Sequence, residues 1–114
     1  MKKLILTLVL VLLPLIVYAA DCETITVADT AIGFTTATYQ LPPDYSAVEA
    51  YCCNETAQIR VMWDDDTVPT STVGIVVNAG DCFRLSNNYD LPFFRAIRTG
   101  GTSGSLTCCY SFLR

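Results

Sequence analysis

Six cysteines are the residues of this chain whose type and spacing have the most definite chemistry. In an oxidising compartment, an even number of cysteines in a short chain is typical of a disulfide framework. Four of them form the doublets Cys52-Cys53 and Cys108-Cys109, which lack the Cys-x-x-Cys spacing of redox motifs and zinc sites. The sequence therefore predicts disulfides, formed by Cys22, Cys52, Cys53, Cys82, Cys108 and Cys109.

The geometry of a β-strand restricts the pairing of these cysteines without fixing it. Adjacent residues point to opposite faces, so the two members of a doublet cannot both enter one core. If the two doublets lie on neighbouring antiparallel strands, one member of each can bridge on the buried face. The outward members are then left for Cys22, for Cys82 or for another chain. We favour three bridges within one chain; the alternative is that Cys22 links to a second copy.

The acidic triplet Asp64, Asp65 and Asp66 is the second group with possible chemistry. Three carboxylates can bind a hard cation such as Ca²⁺ together with carbonyl oxygens and water. The spaced Asp-x-Asp-x-Asp pattern of a calcium loop is missing, however, and adjacent aspartates after a strand are more often a solvated loop. We therefore predict no metal site and treat the triplet as a possible contact for a partner or ligand.

The chain contains no histidine, the commonest general base in enzymes. A serine or cysteine nucleophile consequently lacks its usual partner, and no pattern of carboxylates indicates glycoside hydrolysis. The sequence predicts a protein that is not an enzyme, with no catalytic residues and no cofactor.

Two tyrosines in predicted loops, Tyr45 and Tyr89, are candidates for contact with a partner or a sugar. Trp63 falls on the apolar face of its predicted strand, so we place it in the core. Asn54-Glu55-Thr56 matches the N-glycosylation pattern. We discount it, because the N-terminal leader looks bacterial rather than eukaryotic.

That leader begins with Met1-Lys2-Lys3 and continues as an apolar run over residues 4–17, closed by Ala19 and Ala20. A basic stub, an apolar run and small residues are the signature of a secretory signal peptide, cleaved here after Ala19 or Ala20. The run is shorter than the ~20 residues that a membrane-spanning helix needs. We predict a signal peptide over residues 1–20 and one secreted domain over 21–114, extracellular or periplasmic, with no membrane association after cleavage.

The net charge of the predicted domain limits the classes of partner that it can bind. Both lysines lie in the leader. The predicted domain therefore contains five of the seven basic residues and all eleven acidic ones, which gives it a net charge near −6. Nucleic-acid binding needs a basic footprint, which this domain lacks. The fraction of charged residues is also low for the surface of a lone soluble domain, which favours contact with further protein surfaces.

Beyond residue 20 the apolar residues alternate with period two, and no helical spacing persists. Short strands separated by turn residues predict an all-β domain, a single antiparallel β-sandwich of jelly-roll or immunoglobulin-like type with about eight short strands linked by disulfides. The predicted strands are 23–28, 32–40, 47–53, 59–63, 72–77, 81–86, 92–99 and 105–113.

Several segments, in order along the chain, carry a resemblance to a known group of proteins. They are residues 32–35, 59–65, 67–74, 78–81, 94–100 and 103–106. In this order they resemble small β-rich virion proteins of tailed bacteriophages. The resemblance implies a compact sandwich used as a decoration or attachment piece in a repetitive assembly, with no catalytic residues. Because this chain adds a leader and cysteines, it implies a similar fold moved to the cell exterior.

A shorter resemblance covers residues 59–70. It is to the hairpin of small immunoglobulin-like modules appended to chitin-degrading and related enzymes, and Asp66 stands where that hairpin has a glycine. This resemblance implies an accessory domain associated with carbohydrates.

The sequence therefore predicts a secreted, non-enzymatic structural subunit whose main partner is itself. It would assemble into an extracellular filament, a surface layer or a virion-like array, with residues 21–30 available as a strand donated to the next copy. The alternative is a carbohydrate- or surface-binding accessory module that contacts cell-surface glycan. A small secreted inhibitor or effector is a third reading, supported only by size and disulfides.

Overall fold

The computed structural model describes residues 21–41 and 45–112, without the side chains at positions 41 and 45. The predicted signal peptide over residues 1–20 lies outside these residues. Within the described ranges, no helix is long and apolar enough to cross a membrane.

The described chain is mostly β, as the period-two pattern predicts. It has seven strands of three residues or more, the two-residue strand β2, one short helix and one 3₁₀ turn. In chain order these are β1 (Asp21–Val27), α1 (Thr36–Tyr39), β2 (Gln40–Leu41), β3 (Tyr45–Asn54), β4 (Ile59–Met62), β5 (Ile75–Val77), β6 (Cys82–Leu85), the 3₁₀ turn (Leu91–Phe93), β7 (Arg95–Arg98) and β8 (Gly104–Phe112).

These strands form two antiparallel sheets. In the large sheet the order is β1–β8–β3, and both β6 and β2 pair with the far edge of β3. In the small sheet the order is β5–β4–β7. The prediction of an all-β fold of antiparallel strands is thus confirmed, whereas a jelly-roll or immunoglobulin-like connectivity stays a prediction.

Both sheets contribute to one hydrophobic core. Alternate residues of β8 and β4 are buried, as expected when one face of a strand packs inward. Aromatic rings fill the centre: Phe34 stacks on Phe94 with ring centroids 4.1 Å apart, and Tyr110 meets Phe34 edge-on at 5.3 Å. Trp63 is partly buried and packs against this cluster, as predicted.

The predicted strand over residues 32–40 is wrong. Ile32 makes an isolated bridge with Ala96, and the following residues turn into the helix α1. Within this segment Phe34 and Tyr39 are buried, five residues apart, so their burial follows neither strand nor helix period over the whole segment. A composition rich in Thr, Phe and Tyr favours a pleated, half-buried surface but does not require one.

A register irregularity in β3 changes which residues face the core. Alternation predicts Val48, Ala50 and Cys52 on one face, and the last two are indeed fully buried. Between Ala47 and Glu49, however, the pairing with β8 shifts, as at a β-bulge. Because an extra residue reverses the alternation, Ala47 rather than Val48 is buried.

All six cysteines lie in the described part of the chain, and all are paired within it. The bridges are Cys22–Cys109, Cys52–Cys108 and Cys53–Cys82, which join β1 to β8, β3 to β8 and β3 to β6. The favoured prediction of three intrachain bridges is confirmed, and Cys22 does not have the interchain partner of the alternative. Most of the segment expected to be available as a donated strand, residues 21–30, is β1, which pairs here with β8 of the same chain; its donation to a second copy stays a prediction.

Strand pairing explains why doublets occur. Each bridge joins residues directly opposite each other, with Cα atoms 4.0 to 4.1 Å apart. So close an approach is typical of non-hydrogen-bonded pairs. In a central strand, consecutive residues form such pairs with opposite neighbours and point to opposite faces. A Cys-Cys doublet therefore links a central strand to both of its neighbours, once on each face.

Candidate functional site

An uncovered apolar strand at the edge of the small sheet is the most distinctive surface of the described molecule. β5 has β4 as its only strand neighbour in the described ranges. Ile75 and Val76 of this strand are 50% and 39% exposed. Val68 and Val73, in the connection that precedes it, are exposed as well. We call Val68, Val73, Ile75 and Val76 the β5 patch.

The connection between β4 and β5 holds this edge in place. The Arg60 guanidinium donates hydrogen bonds to the carbonyls of Ser71 and Gly74, at 3.1 and 2.8 Å. Thr70 and Val73 exchange backbone hydrogen bonds within the connection. Gly74 has a φ of +129°, which residues with a Cβ rarely adopt. The exposed valines are thus carried by a fixed turn.

The backbone of β5 is oriented by the order of hydrogen bonds across the small sheet. Ala96 of β7 exchanges both backbone hydrogen bonds with Ile32, so its N–H and C=O point away from β4. Val61 of β4 lies opposite Ala96 on one side and opposite Ile75 on the other. Because antiparallel pairs alternate, Val61 bonds to Ile75, and the N–H and C=O of Val76 point to the open edge.

The acidic triplet lies at the start of the same connection. All three residues are exposed, and their carboxylate oxygens lie within 4.8 Å of one another. The backbone N–H of Asp66 donates to the Asp64 carboxylate at 3.0 Å. The Asp66 carboxylate raises the pKa of Asp65 above its usual range, and a hydrogen bond with Asp64 acts in the same direction. The triplet is therefore an exposed turn with three closely spaced carboxylates, and we assign no metal ion to it.

The two predicted contact tyrosines differ in what can be said of them. Tyr89 is 76% exposed, in a turn where its backbone N–H donates to the Asn87 side chain at 3.0 Å. Tyr45 begins β3 opposite Leu41, and its side chain lies outside the described residues. Tyr51, an aromatic residue for which the sequence makes contact less favoured than for Tyr45 and Tyr89, is exposed on β3 with the Arg84 guanidinium 5.5 Å from its ring centroid.

The burial of two polar side chains, Tyr110 and Asn54, was not predicted from the sequence. The Tyr110 hydroxyl donates to Glu23 at 2.7 Å, and Thr35 donates to the same carboxylate from its backbone N–H and its hydroxyl. Asn54 is 1% exposed, and its Nδ2 donates to the carbonyls of Ala57 and Val77. Burial makes the amide of Asn54 inaccessible in the fold, so its glycosylation motif is not a surface site.

The β5 patch was missed because its residues resemble an ordinary core strand. One signal in the sequence does mark it: residues 67–80 contain no charged side chain. Comparison with protein-family models, with curated proteins and with solved structures finds no match to this chain.

Proposed function

We propose that this protein is a secreted, non-enzymatic structural subunit, a disulfide-linked β-sandwich that assembles with copies of itself into an extracellular filament or surface layer. The exposed β5 patch carries the proposal. Natural β proteins protect open sheet edges with charged residues, prolines, bulges or covering segments. An apolar edge without such protection is typical of a surface that another chain covers.

The disulfides support the extracellular part of the proposal. Three bridges form and persist in oxidising compartments rather than in the cytosol. They join every neighbouring pair among β1, β8, β3 and β6, which suits a subunit that must stay folded without chaperones or a reducing pool. The predicted leader and the resemblance to virion proteins of tailed bacteriophages point to the same kind of repetitive assembly outside the cytoplasm.

The test is the state of association of the secreted protein. Material purified from secreting cells without reductant is measured by size-exclusion chromatography with light scattering over a concentration series, and by electron microscopy. We expect masses above that of the monomer, growing with concentration, and regular particles or filaments in micrographs. A strictly monomeric species at the highest soluble concentration would contradict the proposal.

One observation favours the alternative, a carbohydrate- or surface-binding module. Tyr89 is the most exposed of the large hydrophobic side chains described, and an exposed aromatic ring is suited to stacking on a sugar. Glycan-array binding that is lost in Tyr89→Ala but kept in Tyr51→Ala would support this function. An absence of binding to any glycan or cell surface would remove it.

A further inference from the structure

We propose that β5 pairs with β5 of a second copy, antiparallel and about a two-fold axis at Val76. The small sheets of the two copies then join into one continuous sheet. This inference rests on the proposed function and names the surface through which the first contact forms.

The backbone at the open edge is complementary to itself. The ladder of the small sheet directs the N–H and the C=O of Val76 away from β4, as derived above from the Ile32–Ala96 hydrogen bonds. When two such strands meet antiparallel with Val76 opposite Val76, each copy supplies one donor and one acceptor. Both hydrogen bonds form at the same time, and no other partner needs to be present. A two-fold axis therefore gives the outward N–H and C=O of Val76 a hydrogen-bond partner in both copies.

The side chains of β5 gain from the same contact. With Val76 at the axis, Ile75 of one copy lies beside Val77 of the other, on the face that Val77 buries in the core. The exposed half of Ile75 is then covered by an apolar neighbour, which extends the core across the junction. Removing apolar surface from water in this way favours association in proportion to the area buried.

The distribution of charge allows a second copy to occupy this edge. The predicted mature chain has a net charge near −6, so two copies repel each other over most of their surface. In a two-fold contact each surface meets itself, and any charge on it meets a like charge. Residues 67–80 are uncharged, and β5 lies in the middle of this segment. Arg60 of β4 lies opposite Val76, but its guanidinium is held by the carbonyls of Ser71 and Gly74. The segment is thus a place where two acidic copies can approach closely.

The other strand edges of the described molecule are less suited to this contact. β1 carries Asp21 and Glu23, and β6 carries Arg84. The outer edge of β7 is covered, since Ala96 bonds to Ile32 and the N–H of Arg98 donates to the carbonyl of Ala28. Among the described strands of three residues or more, β5 alone is an uncovered edge without charge.

The experiment changes Val76 in two ways and compares both with a matched control. Val76→Pro removes the outward N–H, which has no role in the ladder with β4, and fixes φ at about −65°. Proline is tolerated at such a position of an edge strand. Val76→Glu places a charge at the two-fold axis, where it meets the same charge of the second copy, while within its own chain it lies opposite Arg60 rather than a like charge. Thr26→Glu adds the same charge at an exposed position of β1. The association of all four proteins is measured by analytical ultracentrifugation, and folding is checked by thermal melting.

We expect the dissociation constant of the first contact to rise by roughly tenfold or more in both Val76 variants, with Thr26→Glu unchanged and the melting temperature kept. In the wild type, the amide of Val76 should exchange slowly with solvent in the associated state and rapidly in the monomer. Association that is equal in wild type and both variants would overturn the β5 contact while leaving the proposed function intact. An equal loss of association in Thr26→Glu would also overturn it, and a wild type that never associates would overturn both proposals.

Discussion

In the large sheet a covalent bond joins each neighbouring pair of β1, β8, β3 and β6, whereas the strands of the small sheet are joined only by hydrogen bonds and packing. All six cysteines belong to the large sheet. The exposed apolar edge belongs to the small one. The covalent bonds and the exposed apolar edge thus lie in different sheets, and the edge that we propose as a contact surface is held by hydrogen bonds and packing alone.

The largest effect is expected when this difference between the sheets is abolished by reduction. Each bridge closes a long loop and contributes about 2–4 kcal/mol in the chain-entropy account, while a domain has only about 5–15 kcal/mol in total. Reduction and alkylation of all three should therefore unfold the chain. Circular dichroism melting of the reduced, alkylated protein against a non-reduced control measures this. A melting temperature within a few degrees of the control would show that the large sheet does not depend on its bridges.

The three bridges of the large sheet differ in burial, so removing them singly should have unequal effects on stability. Cys52 and Cys108 are fully buried, whereas Cys22 is exposed. The double variant Cys52→Ala, Cys108→Ala loses packing as well as a bridge, so we expect a loss of free energy of unfolding near the top of the usual range of about 2–5 kcal/mol. Cys22→Ala, Cys109→Ala should cost less, because Cys22 is exposed and its removal leaves no buried cavity, although this bridge closes the longer loop. Urea denaturation of both double variants measures these losses. Equal losses, or a larger loss for the Cys22 and Cys109 variant, would show that burial of a bridge does not set its contribution to stability.

A change in the small sheet should have a moderate effect that is independent of the bridges. Gly74 has a φ of +129°, and a Cβ there would lie 3.2 Å from the carbonyl oxygen of Val61. Gly74→Ala should therefore lower the free energy of unfolding by about 1–3 kcal/mol. Gly100 has no atom within 4 Å of such a Cβ, so Gly100→Ala is the control, with a change within about 0.5 kcal/mol. Equal effects of the two substitutions would mean that the turn before β5 is not fixed by its glycine.

The smallest effect concerns the hydrogen bond between Tyr110 and Glu23, which joins β8 to β1 besides the disulfide. Burial raises the pKa of Tyr110, and the hydrogen bond to Glu23 adds to this rise. Since the folded state holds the proton more tightly than the unfolded state, this stabilisation is complete below about pH 10 and is lost as the pH rises above it. Tyr110→Phe should cost about 1 kcal/mol at neutral pH.

Thermal melting of wild type and Tyr110→Phe, at neutral pH and above the ordinary tyrosine pKa, tests this sign. The difference between the two proteins should shrink as the pH rises. A difference that grows with pH would contradict the assignment of the hydrogen bond.

Much of the fold follows from local pattern in the sequence. Period-two alternation predicts β3, β4 and β8 close to their observed bounds, because each has one buried face. The segment over 32–40 does not obey it, since Phe34 and Tyr39 reach the core from a turn and a short helix. In this segment the contacts of Phe34 and Tyr39 with the core override the local preference for a β-strand.

Strand order, by contrast, cannot be predicted from any local pattern in the sequence. The pairing of Cys109 with Cys22 rather than with Cys82 requires that β8 lie between β1 and β3. The exposure of Ile75 likewise depends on β5 being at an edge, and an apolar strand in the centre of a sheet has the same composition. The site was therefore missed for the same physical reason that the disulfide pairing stayed open.

The bridge between Cys22 and Cys109 has a consequence for the fate of the chain after proteolysis. It closes a ring that contains all the residues between these two cysteines, 87 positions apart in sequence. A protease that cuts one peptide bond anywhere inside this ring produces two fragments that remain joined through the bridge. A single cleavage therefore opens the ring without releasing a piece, and its products separate only when the disulfides are reduced.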